Sequence, residues 1–308
     1  MARVLITGGA GFIGSHVARV LLEHGFQVRS YDLQPSNVEH VESVQGNILD
    51  RNKLDSAVQG CDSIVHLAAQ ISVPHSIKEP EETMNLNVNG TQHIFDSAKK
   101  FGVSRILLAS SAAVYGDAAE IPLEEDKIGT FLSPYASSKY ENEQQVLEAR
   151  KSGVEAVALR FFNVYGPNQS IHGPYAAAIP FFIQQIKNGE RPSVYGDGQQ
   201  TRDFVHVQDV ALCLLKLLQT NWNKVNSHVY NVATQTQISV LDLIGIMNSV
   251  CLELGILQKP VYPLFEKART GDIQHSVANI DRITREIEWQ PTIEIQQGIR
   301  ELIQLSVI

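Results

Sequence analysis

An apolar run, Arg3 to Thr7, breaks into Gly8-Gly9-Ala10-Gly11-Phe12-Ile13-Gly14, and helical apolar spacing begins at once through Ser15-His16-Val17-Ala18-Arg19-Val20-Leu21-Leu22. This is strand, glycine turn, helix. Glycines at 8, 11 and 14 permit a tight turn, close approach of backbone N–H groups to a pyrophosphate and close packing of helix on strand, with the positive end of the helix facing the phosphates. A glycine cluster by itself can be an ordinary turn. Here Phe26 to Tyr31 reads as a second strand ending in Asp32, about twenty residues on, where a carboxylate accepts from ribose hydroxyls and repels a 2′-phosphate. The stretch therefore predicts a dinucleotide site that prefers NAD to NADP.

At 308 residues the chain is long enough for one core to begin dividing into two lobes, and a compact two-lobed unit is expected. With 44% hydrophobic and 19% charged residues and no repeat period, the composition indicates neither disorder nor a repeat array. No segment approaches the ~20 apolar residues of a membrane span, and the first residues enter the glycine loop before a signal-peptide apolar region is complete, so a cytoplasmic protein with no membrane partner is expected. The balance of 33 acidic against 25 basic side chains gives a net charge of −8, which opposes nucleic-acid binding. An anionic ligand must then be held by local cations. Cys61, Cys213 and Cys251 lack disulfide or zinc spacing, and His16, His66 and His206 read as loop or strand-end residues, so no metal is expected.

Ser133-Pro134-Tyr135-Ala136-Ser137-Ser138-Lys139 reads as a helix start with proline in the first turn, and it places Tyr135 and Lys139 four apart on one face. Of the nine tyrosines, Tyr135 alone has a lysine four positions later. A surface contact on an amphipathic helix is the alternative for such a pair taken alone.

Together with the GxxGxxG spacing, the pair resembles the short-chain dehydrogenase/reductase superfamily, specifically its extended branch of nucleotide-sugar enzymes, over essentially the whole chain. Further motifs fall where that branch has them: Gly46-Asn47-Ile48-Leu49-Asp50 at the adenine, His66-Leu67-Ala68-Ala69 closing the fourth strand, Asn87-Val88-Asn89-Gly90-Thr91 in a helix, Ser110-Ser111-Ala112-Ala113-Val114-Tyr115-Gly116 after the fifth strand, and Phe161-Phe162-Asn163-Val164-Tyr165-Gly166-Pro167 where the chain leaves the cofactor lobe. The resemblance implies an α/β fold, a Rossmann-type doubly wound parallel sheet with a smaller α/β substrate-binding lobe. Residues 1–164 plus 203–233 would form the NAD domain and 165–202 plus 234–308 the nucleotide-sugar lobe. It also implies NAD contacts at Gly8, Gly11, Phe12, Ile13, Gly14, Asp32, Asn47, Ile48, Leu67, Ala68, Ala69, Asn87, Tyr135, Lys139 and Phe161. One departure is Asn47, where the branch usually has Asp; hydrogen-bonding capacity remains.

Removing hydride from a carbinol carbon requires the hydroxyl proton to leave too, so a base must reach that oxygen. A tyrosine serves only if its pKa, about 10 unperturbed, falls toward neutrality, and the Lys139 ammonium and the positive charge of oxidised nicotinamide are expected to lower it. Ser111 can hydrogen-bond the same substrate oxygen. In the related 4,6-dehydratases the next two positions carry Asp and Glu, and the related decarboxylases carry a Glu there; in this chain they are Ala112 and Ala113. Methyl groups cannot transfer a proton, so oxidation at C4 can only be followed by return of the hydride, and return to the opposite face inverts the carbon. The family most resembled is that of the UDP-glucose (UDP-galactose)/UDP-N-acetylglucosamine 4-epimerases. No equivalent is found of the Cys/His pair of GDP-sugar reductase-epimerases.

For a UDP-hexose the resemblance implies that Arg202 and Arg269 hold the phosphates, a task suited to the planar guanidinium fork. Asn163 and Asp272 would contact diphosphate and ribose, and Tyr195 would border the uracil. Ser72 and Val73 lie in the loop after the fourth strand, Ala178 and Ile179 in the stretch Tyr175 to Pro180, and Ser111 and Tyr135 at the sugar. Ser276 takes the position of a pocket wall where a small residue admits a 2-acetamido group; a serine capping a turn is the alternative. His75, Lys78 and His172 are cations that a UDP-glucuronate 4-epimerase would need, and a non-catalytic NAD-binding regulator is the reading from another class. Helices Glu79 to Lys100 and Pro134 to Lys151 would pair with their copies in a family-like homodimer.

Overall fold

In a computed structural model, which describes residues 1–118, 120–170, 178–268 and 273–306, β1 (Arg3–Thr7) runs through the glycine turn into α1 (Phe12–Glu23). Next come β2 (Gln27–Asp32), β3 (Glu42–Gln45), α2 (Arg51–Val58) and β4 (Ser63–His66). The second half of the sheet is built from α3 (Val73–Lys78), α4 (Pro80–Met84), α5 (Gly90–Phe101), β5 (Arg105–Ser111), α6 (Pro134–Lys151) and β6 (Glu155–Phe161). Then the chain leaves through β7 (Asn163–Tyr165), α7 (Ala178–Lys187), β8 (Ser193–Tyr195) and β9 (Thr201–Arg202), and returns through β10 (Phe204–His206), α8 (Val207–Gln219) and β11 (Val229–Val232). It ends with β12 (Ile238–Ser239), α9 (Val240–Glu253), β13 (Leu264–Glu266), α10 (Asp281–Ile287) and α11 (Ile295–Leu305).

Seven strands pair in parallel in the order β11-β6-β5-β4-β1-β2-β3. The reason is visible in β1, where Val4, Leu5 and Ile6 are all fully buried and alternate between two cores: Val4 and Ile6 join one, Leu5 the other. A strand covered on both faces reads as a continuous apolar run, as parallel sheets require. The order of winding reverses between β1 and β4, which leaves a crevice at the carboxyl ends of the strands. A third core, with Ile179, Phe182, Ile183, Leu243, Met247 and Ile303, lies among α7, α9 and α11.

Local signals set the helix ends. Ser133 Oγ accepts from the Ala136 N–H at 3.2 Å and starts α6, and Ser239 with Asp242 forms a capping box on α9. The single helix expected from Glu79 to Lys100 runs without a gap from Pro80 to Phe101, opened by Pro80 in its first turn and widened by a π turn over Asn85–Asn89. Residues 280–289 also depart from expectation: Ile280, Ile283, Ile287 and Trp289 pack into the first core of the sheet, so by packing this stretch goes with the sheet rather than with the 165–202 plus 234–308 lobe. The outward faces of α5 and α6 carry Gln92, Asp96, Lys99, Glu141 and Glu148 around a shallow groove, a polar surface. Among the described residues no helix is long and apolar enough to cross a membrane.

Two helical glycines separate packing from propensity. Gly298 of α11 lies against Tyr165, where a Cβ would collide with the hydroxyl, whereas Gly245 of α9 has nothing within 4 Å of that position. In urea unfolding, Gly245→Ala should stabilise the protein by about 0.5–1 kcal/mol. Gly298→Ala should destabilise it by about 1–3 kcal/mol.

Candidate active site

The carboxyl ends of β1, β2, β4, β5 and β6 converge on one cavity of about 540 Å³. Its cofactor end is made by backbone. Gly8 has φ +72°, and a Cβ there would lie 2.8 Å from the Ala68 nitrogen; at Gly14 a Cβ would collide with the Gly8 carbonyl. Only glycine fits either position. Helix α1 starts at Gly11 with no capping side chain and no acid in its first turn, so its first N–H groups are available to an anion. Asp32 is fixed beside the turn, accepting from the Ala10 and Gln34 N–H groups, both at 3.1 Å. Gly11, Phe12, Ile13, Asn47, Ile48, Leu67, Ala68, Ala69 and Phe161 complete this lining. These residues fit NAD: the Phe12 and Ile13 N–H groups would hold the pyrophosphate, the Gly11 N–H being taken by the Gly8 carbonyl, and Asp32 would hold a ribose.

Asn87 is the exception among the expected cofactor residues. It is 1% exposed and absent from the lining, because the π turn points it between elements: Oδ1 accepts from the Gln70 N–H at 2.8 Å, and Nδ2 donates to the Gln70 carbonyl and to Ser138 Oγ, both at 2.9 Å. It ties the loop after β4 to α6.

Ser111, Tyr135 and Lys139 meet at the other end of the cavity. Ser111 Oγ accepts from the Ala113 N–H at 3.1 Å and stands beside the Tyr135 phenol, whose ionised form it favours. Lys139, 5% exposed, donates from Nζ to the Ala109 carbonyl at 2.8 Å and stands 6.0 Å from the centroid of the Tyr135 ring. Burial pushes the Tyr135 phenol above its ordinary 10.0, and Ser111 only partly offsets this. Burial likewise pushes Lys139 down from 10.5 to about 8, with the Glu143 carboxylate holding it up. Of the two cations expected to lower the phenol, Lys139 aims its ammonium at the Ala109 carbonyl, and for the protein's own groups burial sets the direction of the Tyr135 shift.

Apart from Ser111 and Tyr135, the expected substrate residues that are described fall outside this lining. Ser72 is buried as the cap of α3, accepting from the His75 N–H at 3.1 Å, while Val73 is exposed. Asn163 donates to the Asp203 carbonyl at 3.0 Å. Ala178 is exposed at the start of α7, but the Ile179 side chain is turned into the third core, which leaves its backbone alone for any ligand. Tyr195 is part-exposed at the end of β8, and Arg202 donates to the Thr201 and Ile273 carbonyls at 2.9 and 2.7 Å. Ser276 is buried beside that strand, its N–H donating to the Thr201 carbonyl at 3.1 Å. His75 faces Glu82 at 3.3 Å. Arg269, Asp272, His172 and Tyr175 to Ala177 lie outside the described residues.

Lining residues that the sequence did not single out include Tyr31, Ile71, Leu86, Phe162 and Gln169. Tyr31 supports the adenine end by donating to the Asn47 carbonyl at 2.9 Å. Gly46, Leu33 and Ser110 are sequence neighbours of residues that were named, so adjacency to Asn47, Asp32 and Ser111 was a usable signal. Gln169 had none.

The low Lys139 pKa has a signed consequence. Between about 8 and 10.5 the native protein binds fewer protons at Lys139 than the unfolded chain, so this residue's contribution to stability rises with pH across that window by up to about 3 kcal/mol. Lys139→Met removes it. The stability difference, variant minus unaltered protein, should be largest below pH 8 and shrink toward pH 10.5, as read by urea unfolding of both proteins along a pH series; a constant difference would contradict the buried ammonium.

Comparison with known proteins agrees with this arrangement. Residues 4–233 match the model of the NAD dependent epimerase/dehydratase family. A UDP-glucose 4-epimerase of Haemophilus influenzae is 32% identical over 334 residues, covering 98% of this chain and 95% of that protein. A UDP-N-acetyl-alpha-D-glucosaminuronate decarboxylase of Bacillus cytotoxicus is 31% identical over 319 residues, covering 98% and 97%. The solved UDP-N-acetylglucosamine 4-epimerase from Methanobrevibacter ruminantium M1, in complex with UDP-N-acetylmuramic acid, superposes with a TM-score of 0.90 at 32% identity over 99% of this chain and 98% of that one. With its glycine turn, its Tyr135/Lys139 helix and a family match over most of its length, the chain belongs to the NAD dependent epimerase/dehydratase family, within the extended short-chain dehydrogenase/reductases.

Proposed function

We propose that this enzyme inverts C4 of a UDP-hexose, reversibly, with UDP-N-acetylglucosamine and UDP-N-acetylgalactosamine as the principal pair and UDP-glucose and UDP-galactose as a second. The observation that carries the reading is the acid–base inventory of the cavity. Among the described lining residues Asp32, at the cofactor end, is the one carboxylate. After Ser111 come Ala112 and Ala113 in a 3-10 turn, and Glu143, the acid on the Tyr135/Lys139 face of α6, is 1% exposed and engaged by Arg160 and Ser110. A decarboxylase or dehydratase needs a further acid or base at the sugar; no described residue supplies one.

Bound NAD supplies the acceptor and donor of the C4 hydride. Tyr135 takes the C4 hydroxyl proton and later returns it, Ser111 orients the same oxygen, and Lys139 places positive charge one helical turn away. The raised phenol pKa means that positive charge beyond the protein's own must favour the phenolate. Arg202 and Arg269 would take the diphosphate, and Ser276, buried beside Arg202's strand, would leave room for a 2-acetamido group. The lobe built on α7, α9 and α11 would carry the nucleotide-sugar and the seven-stranded sheet the cofactor.

Purified protein supplied in turn with UDP-N-acetylglucosamine, UDP-glucose and UDP-glucuronate, and followed by proton NMR at C4, should yield inverted product with the first two. Tyr135→Phe should lower kcat by about 10²-fold or more. Absence of inversion with any UDP-hexose would overturn the reading. Ser276→Tyr should abolish turnover of the acetamido sugars and spare the plain hexoses; equal loss on both would sink the size argument.

A further inference from the structure

Behind the cavity wall, Glu143 stands four residues beyond Lys139 and eight beyond Tyr135, so all three share one face of α6. Lysine and glutamate four apart on a helix ordinarily pair with each other. Here they do not: among the described residues no carboxylate lies within ion-pair distance of Lys139 Nζ, which donates to the Ala109 carbonyl. Glu143 is taken instead by Arg160 of β6, whose Nε and Nη2 reach its two oxygens at 2.8 and 2.7 Å, and Ser110 Oγ donates to Oε1 at 2.5 Å. Both members of the pair are 1% exposed.

We infer that Arg160 occupies Glu143 so that Lys139 keeps an unpaired charge toward Tyr135, with Glu143 acting as a positioning residue that fixes the Ala109–Ser110–Ser111 segment against α6. The linkage is direct. Ser110, bound to Glu143, is flanked by Ala109, which receives Lys139, and by Ser111, which lines the cavity beside Tyr135. One carboxylate therefore sets the spacing of all three reacting groups. A bidentate guanidinium occupies both Glu143 oxygens, so the carboxylate acts on Lys139 only through space, holding its pKa up, and not as a direct ion-pair partner. The other titratable groups do not compete: His66 of β4 is buried between Thr7 and Thr91 and is held neutral by burial and by Lys139, and His228, before β11, senses Glu143 from its far side. Arg160 itself also donates to the Glu125 carbonyl at 3.0 Å and lies over the Tyr115 ring. The inference rests on the epimerase reading for its chemistry, but its geometry stands without it.

The test is an NMR titration of Lys139 in the NAD-bound protein, with the signal assigned through Lys139→Arg. In Glu143→Gln, Arg160 and Lys139 share the site with no anion between them, so the Lys139 midpoint should fall by about one pH unit or more. The alkaline limb of kcat should move down with it while KM holds. Glu143→Leu combined with Arg160→Met removes both charges and should return the midpoint toward that of the unaltered protein. If Glu143→Gln does not fold, Arg160→Lys decides: a point charge frees one Glu143 oxygen for Lys139, and the midpoint should rise. An unmoved midpoint in the single variants, or a double variant no different from Glu143→Gln, would overturn the inference and mark the pair as purely structural. Failure of the unaltered protein to invert any UDP-hexose would sink the functional reading and leave the titration result standing.

Discussion

The bond from Lys139 Nζ to the Ala109 carbonyl holds α6 to the carboxyl-terminal part of β5, and the rest of the site is arranged around it. Because α6 is pinned there, Tyr135 one turn earlier falls beside Ser111 one residue past Ser110, at the cavity that the glycine turn opens from the other side. Elements far apart in sequence meet because all end at the carboxyl edge of one parallel sheet. That edge is where the winding reverses.

Holding an ammonium in this place is unfavourable for folding. Lys139 is nearly excluded from water and its proton is correspondingly loosened, while Tyr135 is driven the other way by the same burial. A buried phenol that resists ionising needs positive charge beyond the protein's own before it can act as a base near neutrality, whereas the buried ammonium is already shifted toward that range. The surroundings then matter in detail: Arg160, Glu143 and Ser110 form a closed set behind the wall, and the absence of acids beside Ser111 leaves Tyr135 as the one described group at the sugar end able to move a proton in both directions.

The cofactor half was legible because its signals are local. A glycine that must take φ +72°, or that has no room for a Cβ, leaves its mark in the sequence whatever the tertiary context. Ser133 as a helix start was readable for the same reason. Asn87 shows the limit: its motif located the right helix, but a π turn aimed the side chain at Gln70 and Ser138 instead of the cavity. Ile179 sat in the right stretch, yet its apolar character is used by the third core. Ile280, Ile283 and Ile287 have helical spacing that says a face is buried without saying against what, and the answer was the sheet. The burial of Tyr135 was not legible, because charge partners can be named from sequence, whereas desolvation depends on packing. Gln169 and the Arg160–Glu143 pair are products of tertiary structure and carried no local signal.

The central claim is that the hydrogen leaving C4 returns to the same carbon on the opposite face, with Tyr135 moving only the hydroxyl proton. The most direct measurement uses UDP-N-acetylglucosamine deuterated at C4, equilibrated with the enzyme in ordinary water and read by mass spectrometry and NMR. Product inverted at C4 with its deuterium retained agrees with the account. Loss of the deuterium to solvent during inversion, or release of a decarboxylated or dehydrated sugar, would contradict it.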